Sequence, residues 1–361
     1  MQYSENKHLD WHETDWQRLW RAGASVPPAL LLAGPAGIGK HAFAQATAAR
    51  LLCESPTAKG ACGACPSCHW LAGNNHPDFR YLRPESEVEA EGEASVGEKK
   101  KASRQIRIEQ IRELEDFVFV GSHRGGARVI VIEPAEAMNA AAQNALLKIL
   151  EEPSVSVYFI LVTSRINSLL PTILSRCRLM KLPKPGLAEA SDWLSQTKDK
   201  AALELLALMG GAPLRALAES QSGRAAAFGA VVAALAEPGE DPLSLAARWE
   251  RQLQLKDDAG LSMESLIDIV QKWVLELVQR KLAGRGRYFT DRSRVVEQLA
   301  GRATAVGLIR CYNDLVKMRA LATHPLNPRL YLEELAERYC ARTFADVVFF
   351  TNSGTEAIEC A

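Results

Sequence analysis

The chain has 361 residues, 47% of them hydrophobic and 24% charged, with 43 basic and 43 acidic side chains. This length predicts about two or three domains with ordinary hydrophobic cores. The net charge is zero, so the chain lacks the overall positive charge that is typical of many nucleic-acid-binding proteins. No apolar run approaches the ~20 residues of a membrane-spanning helix. Residues 1–13 are polar and hold no signal-peptide core, so the sequence predicts a cytoplasmic protein with no membrane partner.

A phosphate-binding loop is the first clear feature along the chain. The apolar run Ala29–Ala33, which predicts a buried parallel strand, leads into the sequence G-P-A-G-I-G-K-H at 34–41, and a helical pattern follows. In such a loop the glycines let backbone N–H groups face phosphate oxygens, and the lysine reaches the outer phosphates. The alternative is a glycine-rich turn in an unrelated α/β protein, which the flanking strand and helix disfavour. The predicted nucleotide-binding residues of this loop are Gly34, Gly37, Gly39 and Lys40.

Two positions depart from the pattern of a site that cleaves ATP. His41 stands where a Ser or Thr hydroxyl normally holds Mg²⁺, and imidazole is a poor ligand for a cation that prefers oxygen. The candidate strand Arg128–Ile132, apolar at residues 129–132, leads directly into Glu133 and resembles a Walker B strand, which would make Glu133 the acid linked to the metal. The next position, which normally carries the glutamate that activates water, is Pro134. Glu136 is a candidate replacement, but with a different geometry, so the sequence predicts weak nucleotide binding without hydrolysis.

Four cysteines, Cys53, Cys62, Cys65 and Cys68, follow the predicted helix with the spacing C-x₈-C-x₂-C-x₂-C. The two C-x₂-C steps bring three thiolates within reach of one metal ion, and Cys53 completes a tetrahedron. Four thiolates with no open position are typical of a structural zinc site. A redox pair and unliganded surface cysteines are the alternatives. The remaining cysteines lack such spacing and are predicted to be packing residues: Cys177, Cys311, Cys340 and Cys360.

The pattern of elements changes near residue 185. Before it, helical patterns separate the candidate strands Ala29–Ala33, Phe79–Leu82, Arg128–Ile132 and Tyr158–Thr163, which predicts a mostly parallel α/β sheet. Thr163 ends the last of these strands, where a polar side chain could face phosphate. Beyond residue 185 the pattern is helical, with breaks at 210–213 and 237–242. We therefore predict domains at 1–185, 186–239 and 240–335, with a charged loop at 84–104 and the cysteine module at 53–68.

Several of these motifs together resemble one family. The segments Pro28–Lys40, Ala142–Pro153 and Ser175–Cys177, with the four cysteines between them, are similar in order and sequence to the AAA+ subunits of bacterial clamp loaders. The altered nucleotide motifs are closer to the delta-prime subunits of DNA polymerase III than to the motor subunits. The resemblance covers about residues 1–335. It implies an α/β P-loop AAA+ domain with a zinc module, followed by a small helical lid and an all-α collar domain.

The resemblance also implies a function. Such a subunit joins the clamp-loader motor and delta subunits in a hetero-pentamer, which acts on the sliding clamp and primer-template DNA as a component of the DNA polymerase holoenzyme. Arg176, in Ser-Arg-Cys, would be an arginine finger that acts in trans on a neighbour's ATP, and Arg215 resembles the nucleotide-sensing arginine of the lid. The first alternative is an active AAA+ ATPase of the motor type, which Lys40 and Glu133 favour. The second is a zinc-dependent nucleic-acid-binding module, which the zero net charge disfavours.

The C-terminal segment does not fit this family. Residues 341–361 resemble a fragment of the class III aminotransferases that contacts the cofactor phosphate. The lysine that forms the Schiff base with pyridoxal phosphate would lie far outside such a fragment, so we expect no transaminase activity. The sequence therefore predicts an atypical tail at 336–361, and we expect deletion of residues 341–361 to leave zinc content and assembly unchanged.

Overall fold

The structure is a computed structural model that describes residues 7–21, 26–86, 103–119, 126–151, 156–237, 241–255, 259–322 and 327–343. The chain divides into two compact units, Met1–Glu189 and Ala190–Ala361. Most of the predicted charged loop at 84–104, and the aminotransferase-like tail beyond residue 343, lie outside the described residues. Within the described part, no helix combines the length and the apolar composition needed to cross a membrane.

The first unit is a parallel sheet flanked by helices. The sheet has five strands in the order β2-β3-β4-β1-β5, and all neighbouring strands are parallel. The strands are β1 Ala29–Ala33, β2 Phe79–Leu82, β3 Arg128–Ile132, β4 Val157–Thr163 and β5 Arg178–Lys181. The helices are α1 Glu13–Leu19, α2 Lys40–Leu52, α3 Pro66–Ala72, α4 Ile108–Phe119, α5 Ala140–Glu151 and α6 Pro171–Arg176.

Two of the three central strands, β1 and β3, are buried along their whole length. Every residue of β1 and β3 is buried, as expected for parallel strands with helices on both faces. One face, which includes Leu31, Ile130 and Phe159, packs into a hydrophobic cluster with α4 and α5, while α2 contacts the sheet through β1, β3 and β4. This packing aligns the carboxyl ends of the strands along the edge from which the phosphate-binding loop leaves β1.

The predicted parallel sheet is confirmed, but the sequence missed its fifth strand. The four predicted strands are present, with β4 beginning one residue earlier, at Val157. The strand β5 lies at the edge of the sheet, and only Met180 of its four residues is buried. An edge strand with a mixed charged and apolar sequence lacks the continuous apolar run that marked the other strands.

From residue 187 onward every described element is helical, as predicted. The helices are α7 Leu187–Thr197, α8 Lys200–Leu208, α9 Pro213–Gln221, α10 Ala225–Leu235, α11 Pro242–Leu253, α12 Met263–Ala283, α13 Ser293–Arg302, α14 Ala305–Leu321 and α15 Pro328–Thr343. A single hydrophobic cluster contains buried residues from Ala190 to Cys340. The division of this region into a lid at 186–239 and a collar at 240–335 therefore stays a prediction.

The structure differs from the predicted start of the tail at residue 336. Helix α15 continues to Thr343, and Ala336, Tyr339 and Cys340 are buried in the core of the second unit. Their spacing continues that of Leu335, with buried residues recurring three or four positions apart on one helix face. The predicted boundary followed the end of the family resemblance near residue 335, which falls inside this helical period.

Candidate functional site

The predicted phosphate-binding loop lies between β1 and α2. Gly37 and Gly39 have positive φ angles of 76° and 98°, a conformation that favours glycine. Gly34 is required for a different reason, since a Cβ atom there would lie 2.7 Å from the carbonyl oxygen of Leu182. The three glycines thus allow the tight loop and its close approach to the chain after β5, and the loop opens at the N-terminus of α2, which favours anions.

Lys40 is folded back onto its own loop. Its side chain is buried, and Nζ donates hydrogen bonds to Pro35 O at 2.6 Å and to Ser164 Oγ at 3.0 Å. Burial lowers the pKa of Lys40, and the negative charges of Glu133 and Glu136 act in the opposite direction. The ammonium group therefore has two protein acceptors in the position from which it would reach a phosphate.

His41 and Glu133 contact each other directly where a metal ion would be held. His41 Nδ1 lies 2.6 Å from Glu133 Oε2, and the Tyr81 hydroxyl donates to the same oxygen at 3.1 Å. The His41 and Tyr81 rings are 5.8 Å apart. A Mg²⁺ ion prefers oxygen ligands in octahedral geometry, and position 41 offers an imidazole nitrogen in place of a hydroxyl oxygen. These residues therefore fit Mg²⁺ poorly.

The two polar candidates beside the loop have backbone partners. Glu136 Oε1 accepts a hydrogen bond from the backbone N–H of Ser164 at 3.0 Å, and its Oε2 is buried without a hydrogen-bond partner in the part of the chain that the structure describes. Thr163 is buried, and its hydroxyl accepts from the backbone N–H of Arg165 at 3.1 Å. The hydroxyl that contacts Lys40 belongs to Ser164, which sequence analysis missed although it directly follows the predicted strand.

The N-terminal segment packs against the phosphate-binding loop. Trp11 Nε1 donates to Ile38 O at 2.9 Å, inside the loop. His12 is fully buried, with Nε2 3.2 Å from Pro183 O. Burial lowers the pKa of His12 to about 4, so its ring is neutral at neutral pH and adds no positive charge beside Lys40. No motif in the sequence marked this contact.

Arg176 ends α6 and is held by a neighbouring acid. Its Nη1 donates to Thr172 O at 3.1 Å, and its Nη2 forms an ion pair with Glu151 at the end of α5. The Arg176 side chain is 32% exposed and that of Glu151 is 52% exposed. Because an ion pair this exposed contributes only ~0–1 kcal/mol, a phosphate could replace Glu151 at little cost.

Arg215 lies in the second unit, in α9. Its Nη2 is 3.4 Å from Asp268 Oδ2, and Lys272 and Arg319 approach the same carboxylate at 2.7 and 3.2 Å. Burial alone would raise the pKa of Asp268, but these three cations hold it below its usual value. The role of Arg215 as a nucleotide-sensing residue stays a prediction.

The four predicted cysteine ligands converge on one point. Cys53 follows the last residue of α2, Cys68 lies within α3, and the other two occupy the connecting loop. All four Sγ atoms lie within 4.8 Å of one another. The Cys53–Cys65, Cys62–Cys68 and Cys65–Cys68 sulfur pairs are 3.9, 4.0 and 3.5 Å apart. The cluster could therefore hold a metal ion.

The chemistry of this cysteine cluster fits zinc. A tetrahedral Zn²⁺ with Zn–S bonds of 2.3 Å separates its sulfur ligands by about 3.8 Å, close to the observed spacings. The backbone N–H of Cys62 donates to Cys53 Sγ at 3.2 Å, and that of Ala64 donates to Cys62 Sγ at 3.5 Å. Hydrogen bonds from the backbone N–H groups of Ala64 and Cys65 lower the pKa of Cys62 to about 6, which favours the thiolate that a metal ion requires. Burial has the opposite effect on Cys53 and Cys68: it raises the pKa of Cys53 and raises that of Cys68 to about 12, so metal binding would have to release their protons.

Comparisons with known proteins agree on one family. The profile of the family described as DNA polymerase III, delta subunit, matches residues 14–186. A DNA polymerase III subunit delta' of Pseudomonas aeruginosa is 34% identical over 342 residues, which cover 92% of this chain and 97% of that protein. A DNA polymerase III subunit delta' of Yersinia pestis is 32% identical over 321 residues, which cover 85% of this chain and 87% of that protein. A solved DNA polymerase III, gamma subunit-related protein of Thermotoga maritima covers 92% of this chain and 99% of its own, with a TM-score of 0.44 and 18% identity, too distant to bear on function.

Proposed function

The chain belongs to the family of DNA polymerase III delta-prime subunits, and we propose that it is a non-motor subunit of the clamp loader, which places the sliding clamp on primed DNA. The observation that carries the non-motor role is the contact between His41 Nδ1 and Glu133 Oε2, 2.6 Å apart, at the position of a Mg²⁺ site. In phosphoryl transfer the metal neutralises charge and another group orients the attacking water. His41 and Pro134 remove the groups that would normally do both.

The proposed partners are the motor and delta subunits in a hetero-pentamer, with the sliding clamp and primer-template DNA bound by the assembled complex. The test is reconstitution from purified motor, delta and delta-prime chains, followed by size-exclusion chromatography. We expect this chain to elute with the other subunits at one copy per complex, and clamp loading to require it. A chain that stays monomeric in this mixture would contradict the proposal.

Within the complex, we propose that Arg176 supplies its guanidinium to ATP bound by a neighbouring motor subunit. The planar group can donate two parallel hydrogen bonds to phosphate oxygens. Glu151 would hold the side chain in position until the neighbour's phosphates compete for it. Since the pair is exposed, this exchange needs no rearrangement of a packed core.

Weak nucleotide binding by this chain is part of the proposal. The residues of the first unit that would take part are Gly34, Gly37, Gly39, Lys40, Glu133 and Thr163, and Arg215 of the second unit keeps its predicted nucleotide-sensing role. The loop glycines have the conformation that a phosphate cradle needs, but Lys40 would have to leave Pro35 O or Ser164 Oγ to engage the outer phosphates in full. This exchange is expected to weaken binding relative to a motor subunit.

The isolated chain is expected to show no ATP turnover above background. Steady-state phosphate release measured with Mg²⁺ and ATP checks this, with Lys40→Ala as the matched variant. Equal background rates for both proteins are the expected result, because neither has a complete metal site or a water-orienting acid. Turnover in the natural sequence that disappears in Lys40→Ala would favour the alternative, an active AAA+ ATPase of the motor type, to which the intact glycines and lysine point.

We also propose that the four-cysteine cluster binds one structural zinc ion. Elemental analysis of protein purified without chelators is expected to find one zinc per chain, and Cys62→Ser or Cys65→Ser to abolish tight binding. Cys177→Ser is the control, because this buried cysteine lies outside the cluster. Since the sheet has its own core, metal loss is expected to expose residues 53–72 to proteolysis without unfolding the unit. Unchanged zinc content in both ligand variants would contradict the assignment.

A further inference from the structure

A groove runs along the free edge of the sheet, beside β5. It has a volume of about 420 Å³ and is lined by the four residues of β5, by Arg18 and Leu19 of α1, and by Pro27. A strand edge that faces a helix is the arrangement in which PDZ and PTB domains add an extended peptide to a sheet. All the lining residues belong to the first unit, and none belongs to the phosphate-binding loop or the cysteine cluster.

The outer side of β5 offers main-chain hydrogen-bonding groups. Among the described residues β5 pairs only with β1. The backbone N–H of Leu182 donates to Ala33 O, toward β1. Because successive residues of a strand direct their backbone groups to alternate sides, those of Leu179 and Lys181 face away from β1. These groups have no hydrogen bonds to other residues within the described ranges, and they could pair with an added strand.

The groove is positively charged and has an apolar contact point. Arg178 and Lys181 are exposed, and neither has an acidic partner in the described part of the chain. Arg18 extends from α1 and pairs with Asp15 at 3.3 Å on its own helix. Leu179 is 42% exposed and shares one face of β5 with Lys181, while Arg178 points to the opposite face. The charges select an anionic ligand, and the exposed leucine favours one that also carries apolar side chains.

We propose that this groove binds an acidic peptide segment of a partner protein, which adds to β5 as a sixth strand. Its carboxylates would pair with Arg18, Arg178 and Lys181, and its apolar side chains would cover Leu179. A strand of four residues is about 13 Å long, so four or five residues of the peptide would fill the edge. Single-stranded nucleic acid is less suited, because its bases bind by stacking on aromatic rings and no aromatic residue lines the groove.

Fluorescence anisotropy of the full chain with a labelled eight-residue peptide of the repeat Glu-Glu-Val tests the proposal, because this repeat places carboxylates on both faces of the added strand. We expect binding that weakens as salt rises and is reduced at least about tenfold in the double variant Arg178→Glu, Lys181→Glu. The double variant Arg112→Glu, Lys148→Glu, at exposed positions of α4 and α5, makes the same change in net charge away from the groove and is the control.

A second pair of variants tests the main-chain contact. Leu179→Pro removes an outward N–H without touching the bonds to β1, and Leu179→Ala keeps it. We expect Leu179→Pro to bind the peptide more weakly than Leu179→Ala does. Two results would overturn the proposal. One is stronger binding of a labelled eight-residue oligo-dT that Leu179→Pro leaves unchanged. The other is the absence of peptide binding, in which case the charges only protect the edge from association.

Discussion

Replacement of Tyr339 by alanine is expected to lower the free energy of unfolding of the helical unit by about 3–5 kcal/mol. The side chain is fully buried, and its ring centre lies 6.4 Å from that of Trp249. Its hydroxyl accepts a hydrogen bond from Trp273 Nε1 at 2.9 Å and donates one to Leu235 O at 3.0 Å. Alanine would leave a large cavity and two buried polar groups without their partner.

Urea unfolding followed by tryptophan fluorescence measures this effect. Tyr339→Phe keeps the ring and removes both hydrogen bonds, so it is expected to cost about 1–3 kcal/mol. Glu337→Ala, at an exposed position on the same helix, is the control and is expected to stay within about 0.5 kcal/mol of the natural sequence. A loss below 1 kcal/mol in Tyr339→Ala would show that α15 is not part of the cooperative core.

The same contacts decide where the chain can be shortened. Truncation after Leu335 removes Tyr339 and the buried Cys340, and is expected to destabilise the unit at least as much as Tyr339→Ala. Truncation after Thr343 keeps all of α15 and is expected to leave stability unchanged. The deletion of 341–361 suggested by the sequence would cut into the helix and remove Thr343, which is buried and donates to Tyr339 O.

The parts of the fold that could be predicted are those whose burial is complete. The strands β1 and β3 are buried on both faces, so their sequences, apart from Arg128 at the start of β3, are apolar runs that can be read locally. The strand β5 has an exposed outer edge, and three of its four side chains are exposed. Its sequence, Arg-Leu-Met-Lys, therefore has no feature that distinguishes it from a loop. The missed part of α15 has a readable helical period, but it lies beyond residue 335, where the family resemblance ends.

In the candidate site, the residues that belong to short local motifs could be predicted, and their partners from distant parts of the chain could not. Gly37, Gly39 and Lys40 belong to one short motif, and the cysteine ligands lie in a segment of sixteen residues whose spacing already brings sulfur atoms together. The partners of these groups could not be predicted. Ser164 is 124 residues from Lys40, and Tyr81 is 52 residues from Glu133. Contacts of that separation are set by the order of the strands, which local patterns do not determine.

Substitution of Arg176 is expected to have the largest effect on activity, although it should leave folding unchanged. Where an arginine finger acts in trans it contributes about 10³–10⁵ in rate at its site. Arg176→Ala removes the charge and Arg176→Lys keeps it, but an ammonium group cannot reproduce two parallel hydrogen bonds. Both variants are therefore expected to bind zinc, join the complex and lower the ATPase stimulated by DNA and the clamp. The fall is partial, because only the site that faces this chain loses its arginine.

The control variants separate this role from a structural one. Glu151→Gln removes the ion pair and leaves Arg176 free to reach a neighbour, so ATPase is expected to stay at the natural level or rise. Arg165→Ala removes another exposed arginine of the same unit and should change nothing. If Arg176 only stabilised the ends of α5 and α6, Glu151→Gln would impair the complex as much as Arg176→Ala, since each breaks the same pair. Reconstituted loaders that carry one variant each, with assembly confirmed before ATPase and clamp loading are measured, distinguish these outcomes. Full activity of both Arg176 variants would reduce the residue to an exposed helix-end arginine.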